Sequence, residues 1–189
     1  MARPLSEEKR DALLGAASDL IAQVGISAPT SKIAKAAGVS EGTLFTYFPT
    51  KDDLLNQLFI EIEAKLAETM SAPYPVKSSS RERLFIVWSR LIEWGLSHST
   101  SRKALSQLKV SDRVTGESRK RCHAMFREPR SIVEQCLSGH AASDRIAFYI
   151  DTILFDLADI TINAIAAKPN ERKSIQLTGF ELFWKGSAA

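Results

Sequence analysis

Thr30-Ser31-Lys32-Ile33-Ala34-Lys35-Ala36-Ala37-Gly38-Val39-Ser40-Glu41-Gly42-Thr43-Leu44-Phe45-Thr46-Tyr47-Phe48 is the stretch from which the rest of the chain is best read. It predicts two short helices joined by a tight turn, the arrangement that sets one helix into the major groove of DNA. Thr30 stands where it can cap the first helix, and Ile33, Ala34 and Ala37 give that helix a small apolar face. Gly38 suits the helix-ending position, where a positive φ penalises any side chain. Val39 fills the angle between the helices, and the Ser40 hydroxyl can cap the second by accepting from an unpaired N–H. Leu44 and Phe48, four apart, share one face of the second helix and point into a core. Gly42, Thr43, Thr46 and Tyr47 fall on the other sides, a small polar surface suited to close approach to base edges and phosphates.

The pattern continues as Tyr47-Phe48-Pro49-Thr50-Lys51-Asp52-Asp53-Leu54-Leu55. The run from Thr30 to Leu55 resembles the DNA-binding domain of the TetR family of bacterial transcription regulators. Ile33-Ala34, Ala37-Gly38-Val39-Ser40, Gly42-Thr43-Leu44, Tyr47-Phe48, Lys51 and Leu54-Leu55 stand at that family's spacing. The resemblance implies an all-α homodimer with an N-terminal three-helix DNA-binding domain containing the helix-turn-helix. It also implies a C-terminal helical domain that dimerises and often binds a small effector. Carried over by position, Thr30, Ser31, Thr43, Tyr47 and Lys51 correspond to places that touch double-stranded DNA. Lys32 beside the turn, and Gly42 and Thr46 on the exposed helix face, complete the expected contact set. One position departs from the family: Phe45 stands where Tyr is common, so it donates no hydrogen bond and is left to meet a thymine methyl or the domain core.

Composition agrees with a small multi-helix protein but does not itself argue DNA binding. The 189 residues are 44% hydrophobic, enough for a compact unit with an appended small domain. No apolar run approaches the roughly 18 residues of a membrane span, so no membrane partner is expected. The N-terminus has no apolar core of a secretion signal, which points to the cytoplasm. The net charge of +3 is unevenly spread. Residues 1–53 hold six Lys and Arg against seven Asp and Glu, whereas residues 81–130 hold twelve against five. DNA affinity must therefore come from placed groups: Lys51 at a helix start, Lys32 and Lys35 beside the turn, and Arg3 in an N-terminal arm.

Periodicity sets the remaining organisation: residues 1–50 as the DNA-binding domain and 51–189 as the dimerisation and ligand-binding domain. A first helix over Glu7–Val24 is capped by Ser6, ended by Gly25, and apolar at Leu13, Leu14, Ala17, Leu20, Ile21 and Val24. A connecting helix covers 51–70, and the Pro- and Ser-rich residues 71–80 form a loop. Further helices are expected over 81–96, 101–110 and 116–137, the last with Pro129 as a kink or break. A helix over 143–167 carries Ile146, Ile150, Ile153, Leu157, Ile160 and Ala164 on one face, and Phe148, Phe155 and Ile162 on a second. Asn170 is placed to cap the last helix.

Two apolar faces on one helix imply burial twice, once within the chain and once against a partner. The expected homodimer interface is Ile150, Ile153, Leu157, Ile160, Gly179, Phe180, Phe183 and Trp184. A small-molecule effector of unknown identity would have Trp88, Trp94, Met125, Phe126, Phe148, Phe155, Asp156 and Asp159 as candidate lining, with Phe85 a further aromatic nearby in sequence. Aromatic and Met residues at helical spacing are more often plain core. Catalysis finds no motif: His98, His123 and His140 lack metal-ligand spacing, and there is no Gly-rich phosphate loop. No enzyme activity, cofactor or metal is expected. Cys122 and Cys136 read as reduced, inert thiols; the position of Cys122 beside Arg121 and His123 leaves a lowered thiol pKa and a redox role as the alternative. The expected function is a ligand-responsive repressor that binds a palindromic operator as a dimer. The alternative is the same fold without a small-molecule effector, switched by a protein partner.

Overall fold

The computed structural model describes residues 6–71, 73–75 and 78–189. The expected N-terminal arm, with Arg3, and positions 72, 76 and 77 of the expected loop lie outside these residues. The described residues are helical and hold no strand, only an isolated bridge between Ser138 and Ala141. The helices are α1 (Glu7–Val24), α2 (Thr30–Ala36), α3 (Glu41–Tyr47), α4 (Lys51–Ser71), α5 (Ser80–Ser97), α6 (Ser99–Lys109), α7 (Gly116–Met125), α8 (Arg127–Leu137), α9 (Ile146–Phe148), α10 (Phe155–Ala167) and α11 (Arg172–Gly186). A π-helical turn, Tyr149–Leu154, joins α9 to α10, and a 3-10 turn, Pro169–Glu171, precedes α11. No described helix is long and apolar enough to cross a membrane.

The chain forms two compact units, residues 1–65 with 99–124 and residues 66–98 with 125–189. These groupings run elsewhere than the 1–50 and 51–189 division expected from sequence, because α6 packs along α1 and α7 follows it into the first unit.

In the first unit, α1 starts as its sequence dictates: the Ser6 hydroxyl accepts from Lys9 N at 3.4 Å, and Gly25 at φ 80° ends the helix. Leu13, Leu14, Ala17 and Ile21 are buried. Val24, expected on the same stripe, is 56% exposed because it lies on the last turn, beyond the helices that cover the stripe. At the N-terminus of α4, Thr50 and Asp53 form a reciprocal cap. The Thr50 hydroxyl accepts from Asp53 N at 3.1 Å, while the Asp53 carboxylate accepts from Thr50 N at 2.9 Å.

In the second unit, a capping box of Ser79 and Glu82 starts α5, which packs against α8, α10 and α11. The expected single helix over 116–137 is two helices divided at Phe126. The physical cause is Pro129, whose ring opposes the carbonyl four residues back, that of Met125, so α7 ends there. Asn170 is not a cap. It sits inside the 3-10 turn that Pro169 begins, and α11 starts after Glu171 without a side-chain cap bond.

The π turn changes the burial pattern along α10. Sequence periodicity places Ile150, Ile153, Leu157, Ile160 and Ala164 on one apolar face, the first four of them expected to meet a partner. The buried residues of this stretch are Ile150, Leu154, Ala158, Thr161, Ile162 and Ile165; Leu154, Ala158, Thr161 and Ile165 each stand one position beyond a member of that face. A π turn accommodates one extra residue and so rotates every later side chain by about 100°. Ile153 and Leu157 are thereby left half-buried and Ile160 exposed.

Gly179 of α11 supplies the close approach expected of it, but within the chain. It lies against Thr161 of α10 and the ring of Trp88 of α5. The Trp88 indole N–H donates to the Gln176 carbonyl at 3.0 Å, and Phe180 packs edge-on to Phe85.

Candidate nucleic-acid interface

The turn between α2 and α3 has the hydrogen bonds that its residues imply. Gly38 takes φ 71°, its N–H donates to Lys35 O at 3.1 Å, and the N–H of Val39 reaches Ala34 O at 3.0 Å. This pair of bonds is a Schellman ending, which closes the carbonyls left open by the last turn of α2. Ser40 then starts α3, its hydroxyl accepting from Thr43 N at 3.1 Å. Leu44 and Phe48 are buried, so the orientation of α3 is set from its inner side.

Thr30 departs from expectation. Pro29 occupies the cap position of α2 without a side-chain bond, and Thr30 is the first helical residue. Its hydroxyl donates to the Glu41 carboxylate at 2.6 Å, tying the start of α2 to the start of α3. One residue inside the helix, the hydroxyl is past the cap position, from which a side chain accepts from the N–H groups of the first turn.

The remaining expected DNA contacts divide by exposure. Ser31, Lys32, Gly42, Phe45 and Thr46 are exposed, with Phe45 at 40%. Phe45 therefore lies outside the domain core, of the two places open to it from sequence. Thr46 donates its hydroxyl to Gly42 O at 3.0 Å. Thr43 is half-buried and shares a hydrogen bond with the Ser40 hydroxyl at 2.9 Å. Tyr47 is exposed only in part, and its hydroxyl accepts from Ser6 N at 2.9 Å, joining α3 to the start of α1. That link spans 41 residues and no local sequence signal announces it. Lys51 opens α4; burial, and then the charge of Arg113, pull its pKa down, with Asp52 opposing.

In the second unit the expected interface residues separate into two groups. Ile150, Gly179, Phe180 and Phe183 are buried inside the chain itself and have no surface to offer a partner. Ile153, Leu157 and Trp184 are half-buried. The exposed apolar surface of the last helices belongs to Phe148 (49%), Ile160 (64%), Leu177 (49%) and Leu182 (61%).

The candidate pocket residues are likewise dispersed. Trp88 is fully buried against α11, Phe126 meets Phe155 edge-on, and Phe148 is turned outward. Trp94 is buried and stacks on His98, and its indole N–H has no acceptor within the described residues. Between α5 and α11 a groove of about 380 Å³ is lined by Ser78, Arg81, Glu82, Phe85, Ile86, Leu177 and Phe180. Of these, only Phe85 is an aromatic that the sequence suggests for a pocket. Cys122 runs against the redox alternative: burial, then the charge of Glu63, push its thiol up to about 11. No described group of three His, Cys, Asp or Glu could hold a metal ion.

Comparison with known proteins fits this geometry. The profile of bacterial regulatory proteins of the tetR family matches residues 13–58. The fatty acid metabolism regulator protein of Bacillus subtilis is 38% identical over 79 residues, 41% of either chain, so the match spans about two fifths of that relative. A tetR-family transcription regulator from Shewanella sp. PV-4 shares the fold with TM-score 0.83 at 24% identity, covering 96% of this chain and 98% of its own. The regulator FadR from Bacillus subtilis, solved in complex with stearoyl-CoA, superposes with TM-score 0.70 at 22% identity over 94% of this chain and 98% of that one. Residues 13–58 thus carry the helix-turn-helix domain of the bacterial tetR-family regulatory proteins, and the helical fold is shared along nearly the whole length with solved tetR-family regulators.

Proposed function

We propose that the chain is a homodimeric repressor that holds a palindromic operator and releases it when an acyl-coenzyme A thioester binds. The observation that carries the DNA-binding reading is the division of α3: Leu44 and the adjoining Phe48 are spent on the core, while Gly42, Phe45 and Thr46 are turned outward. In this reading Thr43 and Phe45 meet base edges. Ser31, Lys32, Tyr47 and Lys51 hold phosphates and set register, with Thr30 acting through Glu41. The Tyr47 hydroxyl accepts from Ser6 N and so keeps its own proton for a phosphate oxygen.

Dimerisation is supported by the apolar surface left on the last two long helices. Ile153, Leu157, Ile160, Leu177 and Leu182 form the interface, and burying side chains of this size contributes about 1.5–3 kcal/mol each. Two recognition helices then enter successive major grooves about 34 Å apart. The effector class follows the stearoyl-CoA bound by FadR. The buried, unpartnered Trp94 N–H is a donor that a ligand oxygen would satisfy. A ligand preferring one arrangement of the dimer lowers DNA affinity by its difference in affinity for the two states.

Selecting bound fragments from genomic DNA, then titrating the best duplex by fluorescence anisotropy with and without long-chain acyl-coenzyme A, tests the reading. A palindromic consensus released by the thioester is the expected result. Affinity equal to that of an unrelated basic protein would refute DNA recognition. Selective binding that no acyl-coenzyme A disturbs would refute the effector assignment alone.

A further inference from the structure

Residues 1–53, which contain the helix-turn-helix, carry one more acidic than basic group, an unfavourable balance for a surface that meets phosphates. The first unit compensates from elsewhere in the chain. Residues 99–124 belong to it and hold seven Lys and Arg against two Asp and Glu. One of these cations is built into the edge of the interface. The Arg113 guanidinium donates through Nη1 to Asp52 at 2.9 Å, one residue beyond Lys51. The loop that carries it is locked by the buried side chain of Asn56. The Asn56 amide donates to the Asp52 carbonyl at 2.8 Å and the Arg113 carbonyl at 2.9 Å, and its oxygen accepts from Thr115 N at 2.9 Å. Arg113 nevertheless keeps about half of its side chain exposed. A guanidinium has five donors in a planar fork, so one bond to a carboxylate leaves others to meet a phosphate.

We infer that Arg113, from the loop between α6 and α7, is a phosphate-contacting residue of the DNA interface, standing beside Lys51 and aimed by Asp52 and Asn56. This inference rests on the DNA-binding reading. The reduced pKa of Lys51, caused in part by Arg113, is consistent with two cations sharing one edge. Asp52 limits the strength of the contact, since its carboxylate competes with phosphate for the same fork.

The test is a salt titration of the full-length protein on a mixed-sequence duplex of about three helical turns, comparing wild type with Arg113→Gln, Arg113→Lys and Asp52→Asn. Loss of one phosphate contact reduces the slope of log affinity against log salt by about 0.9, which at 0.1 M salt is roughly eightfold in affinity. Arg113→Gln is expected to show that loss. Arg113→Lys should retain the slope, and Asp52→Asn should bind more tightly than wild type. A merely structural tie would give the opposite pattern: Arg113→Gln and Asp52→Asn would lower the melting temperature alike, with the wild-type slope intact. Wild-type binding with an unchanged slope in Arg113→Gln overturns this inference alone. Failure of the wild type to bind the duplex at low salt overturns the DNA-binding reading with it.

Discussion

Replacing Gly179 by Ala should destabilise the second unit, although Ala is the better helix former. A Cβ at this position would sit 2.8 Å from Cζ2 of Trp88 and closer still to Thr161 Oγ1. Neither neighbour can give way cheaply. Trp88 is fully buried with its indole N–H held by the Gln176 carbonyl, and the Thr161 hydroxyl donates to Leu157 O at 2.8 Å. Overpacking of this kind costs about 2–3 kcal/mol. Exchanging Gly for Ala inside a helix returns about 1 kcal/mol. The net loss is about 1–2 kcal/mol, which for a chain of this length lowers the midpoint by roughly 3–6 °C. Thermal unfolding by circular dichroism, at one protomer concentration so that association does not shift the midpoint, measures it. Thr161→Ala removes both offending Thr atoms, so adding Gly179→Ala in that background should cost less, by about 1 kcal/mol. An unchanged or higher midpoint for Gly179→Ala, or the same loss in both backgrounds, would refute the packing argument.

Three further outcomes rest on separate features. Gly38→Ala meets no atom within 4 Å but must adopt φ 71°, so it should cost about 1 kcal/mol in urea unfolding purely through backbone strain. Ile160→Asp with Leu182→Asp should convert the proposed dimer to a monomer in sedimentation equilibrium while leaving helicity intact, because both side chains are exposed within the single chain. A dimer persisting in the double variant would move the interface elsewhere. The Cys122 thiol, pushed up to about 11, holds little thiolate near neutral pH, so its alkylation should accelerate about tenfold per pH unit without levelling off below pH ~10. Since the charge of Glu63 is one cause of that rise, Glu63→Gln should speed the reaction.

Where the sequence reads correctly, the bonds concerned are short in chain distance. Ser40 capping α3 and Ser6 capping α1 each join atoms three residues apart. The backbone bonds that close α2 around Gly38 span three and five residues. Leu44 and Phe48 on one face follow from helical geometry alone. The misread positions have equally definite reasons. Thr30 suits a cap by its place in the sequence, yet α2 begins one residue earlier than that requires, so Pro29 holds the cap position and the Thr30 hydroxyl donates to Glu41 across the turn. A constant 100° per residue puts Ile150 on the expected interface face with Ile153, Leu157 and Ile160, whereas the π turn over Tyr149–Leu154 separates them and leaves Ile150 buried within the chain. Phe180 and Phe183 fit a partner's surface by composition, but α5, α10 and the rest of the second unit cover them first.

The order of residues determined the helix-turn-helix, its caps, and the polar outer side of α3, because each depends on hydrogen bonds and side-chain spacing within about one or two helical turns. Tertiary structure decided which apolar residues remain for a partner, and set Arg113 against Asp52 across 61 residues of chain. It also returned a basic segment to the unit whose own N-terminal sequence is slightly acidic. Contacts of that kind depend on which long-range packing buries the most apolar surface, and no local pattern of residues encodes that outcome.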